Sequence, residues 1–254
     1  MMHEADRHPG DETPAAVVLP PDGLVLRGAQ VNGRVRCWPS EPHVAQLVMY
    51  QQTRPPSHDD LTRWCAELTQ RGFTAVRTSA LATGASARVE SHGFKVIQEL
   101  VLLQHDDPAR APTPAHRTSR LLVGSDSDAA AVDRAAFGPH WSLDATAVHD
   151  VRTATPRHRG RAVLTDDGAV TAYAITGRDS RLGFLQRLAV HPDHRRQGLG
   201  LALVHDSLRW LARWRVHRVL VNTPTTNAAA LALYEGVGFQ RLPDCLRVYE
   251  RALQ

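Results

Sequence analysis

The sequence has little cysteine, almost no lysine and no long apolar run. Its three cysteines, Cys37, Cys65 and Cys245, are odd in number and widely spaced. This pattern predicts reduced thiols and argues against a disulfide framework or a zinc site. No apolar stretch is long enough for a membrane span. The polar, acidic N-terminus lacks the apolar core of a signal peptide, so we expect a cytoplasmic protein without a membrane partner.

Positive charge is carried almost entirely by arginine. Lys95 is the one lysine among 30 basic residues, and the formal net charge is +4. A GC-rich genome explains such arginine usage, whereas a nucleic-acid surface needs clustered charge and a recognisable motif. The basic stretch 213–218 is the single candidate, and it lies at a predicted helix end, where cations suit the helix dipole. We therefore expect no nucleic-acid partner, and the sequence carries no signal for an oligomeric state.

The chain divides into two folded segments. It is 43% hydrophobic and 22% charged, which is typical of a globular protein. Residues 1–21, rich in Pro, Asp and Glu, predict a disordered tail, and the Pro/Ala-rich stretch 106–118 predicts a linker. The remaining residues form a first segment, 22–105, and a second segment, 119–254.

The second segment predicts an α/β fold with the order β-α-α-β-β-β-α-β-α-β-β. The spacing of Leu201, Val204, Leu208 and Leu211 predicts the core-facing stripe of a helix that ends near residue 214. Asp-Asp-Gly at 166–168 predicts a hairpin. The predicted strands are 120–124, 161–165, 169–176, 183–190, 216–222 and a final pair within 239–253, and the other predicted helices are 126–136, 143–155 and 227–235.

The first segment repeats the later half of this order. Residues 44–52 parallel the strand before the turn at 191–200, and residues 59–73 parallel the helix after it. Residues 74–81 and 87–94 parallel the next strand and helix. The sequence therefore predicts a duplicated unit whose first copy is truncated.

The turn RRQGLG, residues 195–200, joins an apolar strand to an amphipathic helix. Such a turn leaves peptide N–H groups free at a positive helix end. Gly198 and Gly200 let the backbone approach a ligand, and Arg195 and Arg196 add charge-assisted bonds. A dinucleotide fingerprint would need glycine where Leu203 stands, and a nucleotide P-loop would need Gly-Lys-Ser/Thr. The turn therefore predicts a different anionic ligand.

Three motifs carry a family resemblance: LAV at 188–190, RRQGLG at 195–200 and NAAALALYEGVGF at 227–239. In this order they resemble the GNAT superfamily of acetyl-CoA-dependent N-acetyltransferases, and bacterial ribosomal-protein alanine acetyltransferases most of all. The resemblance implies a mixed, mostly antiparallel twisted sheet flanked by helices, with a truncated GNAT-like copy at the N-terminus. It also implies acetyl-CoA as co-substrate, a small-molecule or peptide amine as acceptor, and no metal.

The resemblance assigns roles to residues of this chain. The N–H groups of Leu188 and Val190 would hold the acetyl carbonyl and the pantetheine arm, and Asn227 would bond the pantetheine amide. Tyr234 would protonate the departing thiolate, for which a phenol with a pKa of about 10 is suited. The implied coenzyme-binding set is Leu188, Ala189, Val190, Arg195, Arg196, Gln197, Gly198, Leu199, Gly200, Leu201 and Asn227.

The general base is where the sequence departs from the family. The glutamate expected five residues before Asn227 is Asn222 here, and the alternative glutamate near Phe184 is also missing. A water chain, His149 or Asp150 stay open as replacements. An α-amine has a lower pKa than lysine and needs less help, which favours α-amine acceptors. By resemblance, the loop carrying His140 and Trp141 should face the amine, beside Asn222.

The first copy lacks the residues of a coenzyme site. It has PPSHDD at 55–60 where the second has RRQGLG, with Ala82 and Val89 near the places of Asn227 and Tyr234. We expect this copy to bind no coenzyme A and to shape the acceptor cleft. The missing base leaves one alternative open, a GNAT module that senses acyl-CoA and has lost catalysis.

Overall fold

A computed structural model describes residues 17, 19–20, 23–29, 31–50, 55–122 and 124–254. Most of the predicted tail, 1–21, lies outside the described residues. Within it, Val17 and Leu19 pack against the apolar core of the first segment. No helix within the described ranges combines the length and apolar character that a membrane span needs.

The first segment is a strand meander followed by alternating helices and strands. The predicted strand–helix–strand–helix repeat is present in that order. Its elements are β1 (Leu24–Arg27), β2 (Asn32–Trp38), β3 (Glu41–Tyr50), α1 (His58–Gln70), β4 (Ala75–Thr78), β5 (Leu81–Ala82), α2 (Thr83–Glu90) and β6 (Lys95–His105).

The second segment follows a connection whose described secondary structure is one turn of 3-10 helix, Pro108–Arg110. The predicted element order holds as far as the last helix. Its elements are β7 (Ser119–Arg120), α3 (Asp126–Phe137), α4 (Ala145–Thr153), β8 (Arg157–Leu164), β9 (Val170–Asp179), β10 (Leu182–Val190), α5 (Leu199–Arg213), β11 (Arg218–Pro224), α6 (Ala228–Val237) and β12 (Gln240–Ala252).

Two predicted strands are wrong in extent. The final strand pair is the single strand β12, whose register on β6 shifts between Arg241 and Cys245. Pro243 lies within that shift, where a residue without an N–H group interrupts the ladder but does not reverse the chain. The predicted strand 120–124 shortens to β7, because the chain leaves the sheet after Leu121 and exposes Leu122.

All the strands belong to one mostly antiparallel sheet. Its order is β1-β2-β3-β4-β12-β6-β11-β10-β9-β8-β7, with β5 paired to β12. The parallel neighbours are β3 with β4 and β10 with β11. The last strand of each segment is exchanged: β6 pairs with β11, and β12 pairs with β4. Each segment therefore completes its sheet with a strand of the other, which the sequence did not predict.

The helix α5 shows how the apolar pattern meets the sheet. Val204, Leu208 and Leu211 are buried as predicted, in a core that α5 forms with α6 and β9–β11. Leu201, placed on the same stripe by sequence, is instead 39% exposed. It lies in the first turn of the helix and lines a groove, whereas Leu199 and Ala202 of the same turn are buried.

Candidate active site

The strands β10 and β11 separate in the middle of the sheet. They pair only from Leu182 to Phe184, and beyond this point β10 bonds only to β9, within the described part of the chain. The N–H of His191 bonds to the carbonyl of Thr171 on β9. Because successive residues of a strand direct their N–H groups to opposite sides, those of Leu188 and Val190 face the gap. The gap therefore offers two peptide donors.

The turn after β10 is wound through left-handed conformations. Arg196 has φ of 63° and Gly198 has φ of 82°, a region where glycine is free of steric strain. The helix α5 then begins at Leu199, and no side chain among the described residues caps it. Its first-turn N–H groups stay available for an anion at the positive end of the helix dipole.

A groove of about 760 Å³ runs from this turn to α6. We call it the coenzyme groove. Every member of the predicted coenzyme-binding set lines it except Gln197, which does not. A Cβ atom at Gly200 would contact Leu233 at 3.4 Å and Val190 at 3.5 Å, so the missing side chain leaves the groove open. These residues fit the pyrophosphate and pantetheine of coenzyme A.

Two side chains of the groove also stabilise its walls. The Oδ1 atom of Asn227 accepts a hydrogen bond from the N–H of Ala230 at 3.1 Å and caps α6. Its amide NH₂ group is left for a ligand. Arg195 donates through Nη2 to the carbonyl of Ala136 at 3.1 Å, which joins the turn to the end of α3.

A second cavity of about 320 Å³ lies on the other side of the gap. We call it the acceptor cleft. It shares Phe137, Leu188, Asn227 and Ala230 with the coenzyme groove, so the two cavities meet. The first segment contributes Gln98 and Leu100 of β6 to its wall, from the exchanged strand.

Tyr234 lines the acceptor cleft from α6. Its side chain is largely buried, and its ring packs on Phe239 with the centroids 5.6 Å apart. Burial raises the pKa of Tyr234 above its usual value, and the positive charge of Arg187 partly opposes the rise. The phenol therefore stays protonated at neutral pH and is available as a donor.

The predicted acceptor residues divide into those in the cleft and those outside it. Trp141 and Asn222 line it, whereas His140 does not. The two candidate bases on α4 also lie outside: Asp150 forms an ion pair with Arg36, and Nδ1 of His149 lies 3.3 Å from Arg152. None of the described residues that line the cleft is Asp, Glu or His.

A buried ion pair that the sequence did not predict supports the cleft. Asp133 on α3 is fully buried and accepts from Nε of Arg187 at 2.8 Å, from the Tyr173 hydroxyl at 2.5 Å and from the N–H of Leu143 at 2.7 Å. Arg187 also donates to the carbonyl of Trp141 at 2.9 Å. In the sequence, Asp133 and Arg187 each stand among apolar residues, which suggests a buried charge. No local pattern shows that the two pair with each other.

The corresponding helix end in the first segment is satisfied internally. The Ser57 hydroxyl accepts from the N–H of Asp60 at 3.0 Å, and the Asp60 carboxylate accepts from the N–H of Ser57 at 3.2 Å. Ala82 stands at the N-cap of α2 without a side-chain bond, and Val89 is buried in that helix. A carboxylate thus fills the place where the second segment leaves free N–H groups.

Comparison with known proteins places the second segment in one family. Residues 130–239 match the Acetyltransferase (GNAT) family. A 76-residue region is 41% identical to the [ribosomal protein bS18]-alanine N-acetyltransferase of Escherichia coli K12, and covers 30% of this chain and 51% of that relative. The chain thus spans about half the length of that curated relative.

Longer matches include both segments. The mycothiol acetyltransferase of Streptomyces coelicolor is 29% identical over 248 residues, which covers 92% of this chain and 79% of that protein. A tandem GNAT protein from the clavulanic acid biosynthesis pathway superposes with a TM-score of 0.66 at 15% identity, covering 92% of this chain and 85% of that one. A GCN5-related N-acetyltransferase from Sphaerobacter thermophilus gives 0.60 at 16% identity, covering 89% and 77%. These structural likenesses establish the fold.

Proposed function

We propose that this chain, which belongs to the GNAT family of acetyltransferases, transfers an acetyl group from acetyl-CoA to a primary amine. The acceptor is a small molecule or a peptide α-amine. The observation that carries the proposal is the meeting of the coenzyme groove and the acceptor cleft at Leu188 and Asn227. A thioester held in the groove would present its carbonyl carbon to an amine in the cleft.

The binding roles follow from the geometry of the groove. The first-turn N–H groups of α5, with Arg195 and Arg196 beside them, take the pyrophosphate. The free amide NH₂ of Asn227 bonds the pantetheine arm. The N–H groups of Leu188 and Val190 face the thioester oxygen and stabilise the negative charge that develops on it.

In the transfer step the amine nitrogen bonds to the carbonyl carbon and the carbon–sulfur bond breaks. Tyr234 gives its hydroxyl proton to the sulfur, and the acetylated nitrogen releases one proton to solvent. The Tyr234 phenolate then regains one proton from solvent, so the turnover consumes and releases no net proton. Because no carboxylate or imidazole lines the described cleft, the amine enters in its neutral form. This requirement favours α-amines, whose pKa is about 8, over lysine side chains with a pKa of about 10.4.

The absence of an ionisable base from the described cleft also favours a second candidate function. In this alternative the chain binds acyl-CoA as a sensor or regulatory module and transfers nothing. Such a sensor would still need the coenzyme groove, but it would not need Tyr234 as a proton donor. Activity that depends on Tyr234 would therefore exclude it.

We further propose that the first segment, 22–105, is a degenerate copy joined through 106–118 to the catalytic domain 119–254. Its capped helix end, with Asp60 in the place of an anion, supports the absence of a second coenzyme site. Its contribution is to the wall of the acceptor cleft, through Gln98 and Leu100.

The experiment that tests the proposal is calorimetric titration with acetyl-CoA, followed by an amine screen that detects free thiol. One-to-one binding and thiol release with an amine support it. Binding without turnover of any amine supports the sensor instead. Two binding sites would contradict the assignment of the first segment, and no binding at all would contradict both functions.

A further inference from the structure

The first segment reaches the acceptor cleft at a second place, the loop 138–144 between α3 and α4. We call this the acceptor loop. At the end of β2, Trp38 donates its Nε1–H to the carbonyl of His140 at 2.8 Å. Its ring meets the ring of Trp141 edge to face, with the centroids 5.6 Å apart and the planes at 86°. Trp141 is the member of this loop that lines the cleft.

Arg77 on β4 supports the same pair of rings. Its guanidinium carbon lies 4.4 Å from the centroid of Trp38 and 5.7 Å from that of Trp141. Two carboxylates hold the guanidinium there: Glu250 accepts from Nε at 2.8 Å, and Glu41 accepts from Nη1 at 3.2 Å. Because Arg77 is only 7% exposed, this arrangement is a packed structural unit and not a surface ion pair.

Trp141 is therefore held from both segments. Arg187 of the second segment bonds its carbonyl, while Trp38 and Arg77 of the first segment contact its ring and the preceding peptide. We propose that Trp38 and Arg77 are positioning residues that hold the Trp141 wall of the cleft and thereby set the affinity for the acceptor amine. This inference rests on the acetyl transfer proposed above.

Trp38→Phe, with Trp64→Phe as matched control, tests the inference. Trp64 is 1% exposed and donates its Nε1–H to the carbonyl of Arg27 at 3.1 Å, inside the core of the first segment. Both changes remove one indole–carbonyl hydrogen bond and reduce one buried ring. Only the first touches the acceptor loop, so a general loss of stability affects both and a positioning role affects one.

The first readout does not depend on the acceptor. Amide hydrogen exchange of the peptide that covers 138–144 is expected to rise about fivefold in Trp38→Phe, the loss of one hydrogen bond. It should stay at the wild-type rate in Trp64→Phe. Acetyl-CoA affinity should be unchanged in both variants, because neither residue lines the coenzyme groove.

The second readout is turnover with a fixed panel of N-terminally free tripeptides and simple primary amines. For the amine used best by the wild type, KM should rise about fivefold in Trp38→Phe, with kcat changed less than about twofold. Arg77→Lys keeps the charge but not the planar group, so it should also raise KM. Wild-type KM in Arg77→Lys would overturn the role of Arg77.

The inference would be overturned if Trp38→Phe and Trp64→Phe changed the exchange of the acceptor loop or KM equally. It would also be overturned if Trp38→Phe changed neither quantity. Failure of the proposed function looks different, because the wild type would then bind no acetyl-CoA or acetylate no amine. In that case the exchange comparison still decides whether Trp38 holds the loop.

Discussion

Tyr234 is the residue on which the proposed proton transfer depends. Its position on α6 is set seven residues after Asn227, which caps the same helix. Burial keeps the phenol protonated, and the nearby charge of Arg187 limits how far its pKa rises. The side chain is thus a weak acid that lines the acceptor cleft on the same helix as Asn227 and Ala230, which both cavities share.

Tyr234→Phe is expected to lower kcat by about 100-fold, because the sulfur would leave without a proton donor. Thiol release under saturating acetyl-CoA measures the effect, and calorimetry should show unchanged coenzyme affinity. Tyr249→Phe, which removes a hydroxyl bonded to Glu90 in the first segment, is the control and should keep wild-type kcat. Full activity in Tyr234→Phe would rule out this donor.

Gly200→Glu is expected to weaken acetyl-CoA binding at least about tenfold, about 1.4 kcal/mol. The new carboxylate would stand beside the pyrophosphate at the helix N-terminus. Gly200→Ala is the matched control for the added Cβ, which would meet Leu233 and Val190 at ordinary contact distances. Because alanine favours a helix by about 1 kcal/mol over glycine, Gly200→Ala should not lower Tm. Equal Kd values for the Glu and Ala variants would show that charge is not the cause.

At the scale of elements, the pair Asp133–Arg187 joins α3 to β10 next to the gap in the sheet. The Arg187 contacts hold the strand where its register on β9 shifts, between Leu185 and Arg187. This shift precedes Leu188, whose N–H faces the thioester in our proposal. The ion pair therefore supports the geometry of the site and not only the packing of one helix.

Asp133→Asn is expected to lower the free energy of unfolding by about 3–5 kcal/mol, because it leaves the Arg187 charge buried and uncompensated. Urea unfolding measures the change. Glu67→Gln is the control: Glu67 pairs with Arg71 on the surface of α1, with both side chains more than a third exposed, so at most about 1 kcal/mol is expected there. Similar losses in both variants would contradict the special role of the buried pair.

Two buried histidines predict acid sensitivity: His92 lies in the turn between α2 and β6, and His105 ends β6. Burial, with the charges of Arg251 and His58, lowers the pKa of His92, and burial lowers that of His105 against opposing contacts with Val237 and two aspartates. The unfolded chain binds protons near pH 6.5, whereas the folded chain binds them only at lower pH. The contribution of these two histidines to stability is therefore fully present above pH 6.5, and it is lost as the pH decreases below that value.

The corresponding measurement is the urea midpoint at pH 7.5 and pH 5.5. The midpoint of the wild type should fall on acidification, and His92→Gln and His105→Gln should each reduce the difference. A midpoint independent of pH in the wild type would contradict the prediction.

At the scale of the whole molecule, the exchanged strands make the two segments one folding unit. Removing either segment would leave β11 or β4 with one neighbouring strand instead of two and expose a new edge of the sheet. We therefore expect a single unfolding transition in which the amides of α1 and α5 lose their protection from hydrogen exchange together.

Leu47→Ala tests this coupling from the core of the first segment, where Leu47 is 1% exposed. The cavity should cost about 2–5 kcal/mol and destabilise α5 as much as α1. Arg157→Ala, at an exposed position, is the control and should change the stability of neither helix. Two separate transitions, with α5 unaffected, would show that the segments unfold independently.

The sequence by itself determined the features that depend on neighbouring residues. The RRQGLG turn, the helix that begins near Asn227, the apolar stripe of α5 and the strand–helix order of the first segment are local patterns, so their spacing predicts them. Ten of the residues that line the coenzyme groove were predicted, because they lie at one strand end, in one turn and at the starts of two helices. The walls that α3 and the rest of α6 contribute were not predicted, and coenzyme binding by these residues stays a prediction. Leu201 was misplaced because the buried face of α5 is centred on Leu203, Val204, Ser207 and Leu208, and Leu201 lies at the margin of that face, where it lines the groove.

Only the tertiary structure decided the acceptor cleft. Its wall combines Gln98 of an exchanged strand, Trp141 of a loop and Arg187 of a bulged strand. Trp38 and His140 are 102 positions apart and Arg187 and Asp133 are 54 apart, so no local spacing relates them. Such pairs form because a buried polar or charged group needs hydrogen-bond partners, and the packing of the whole chain decides which partners are within reach.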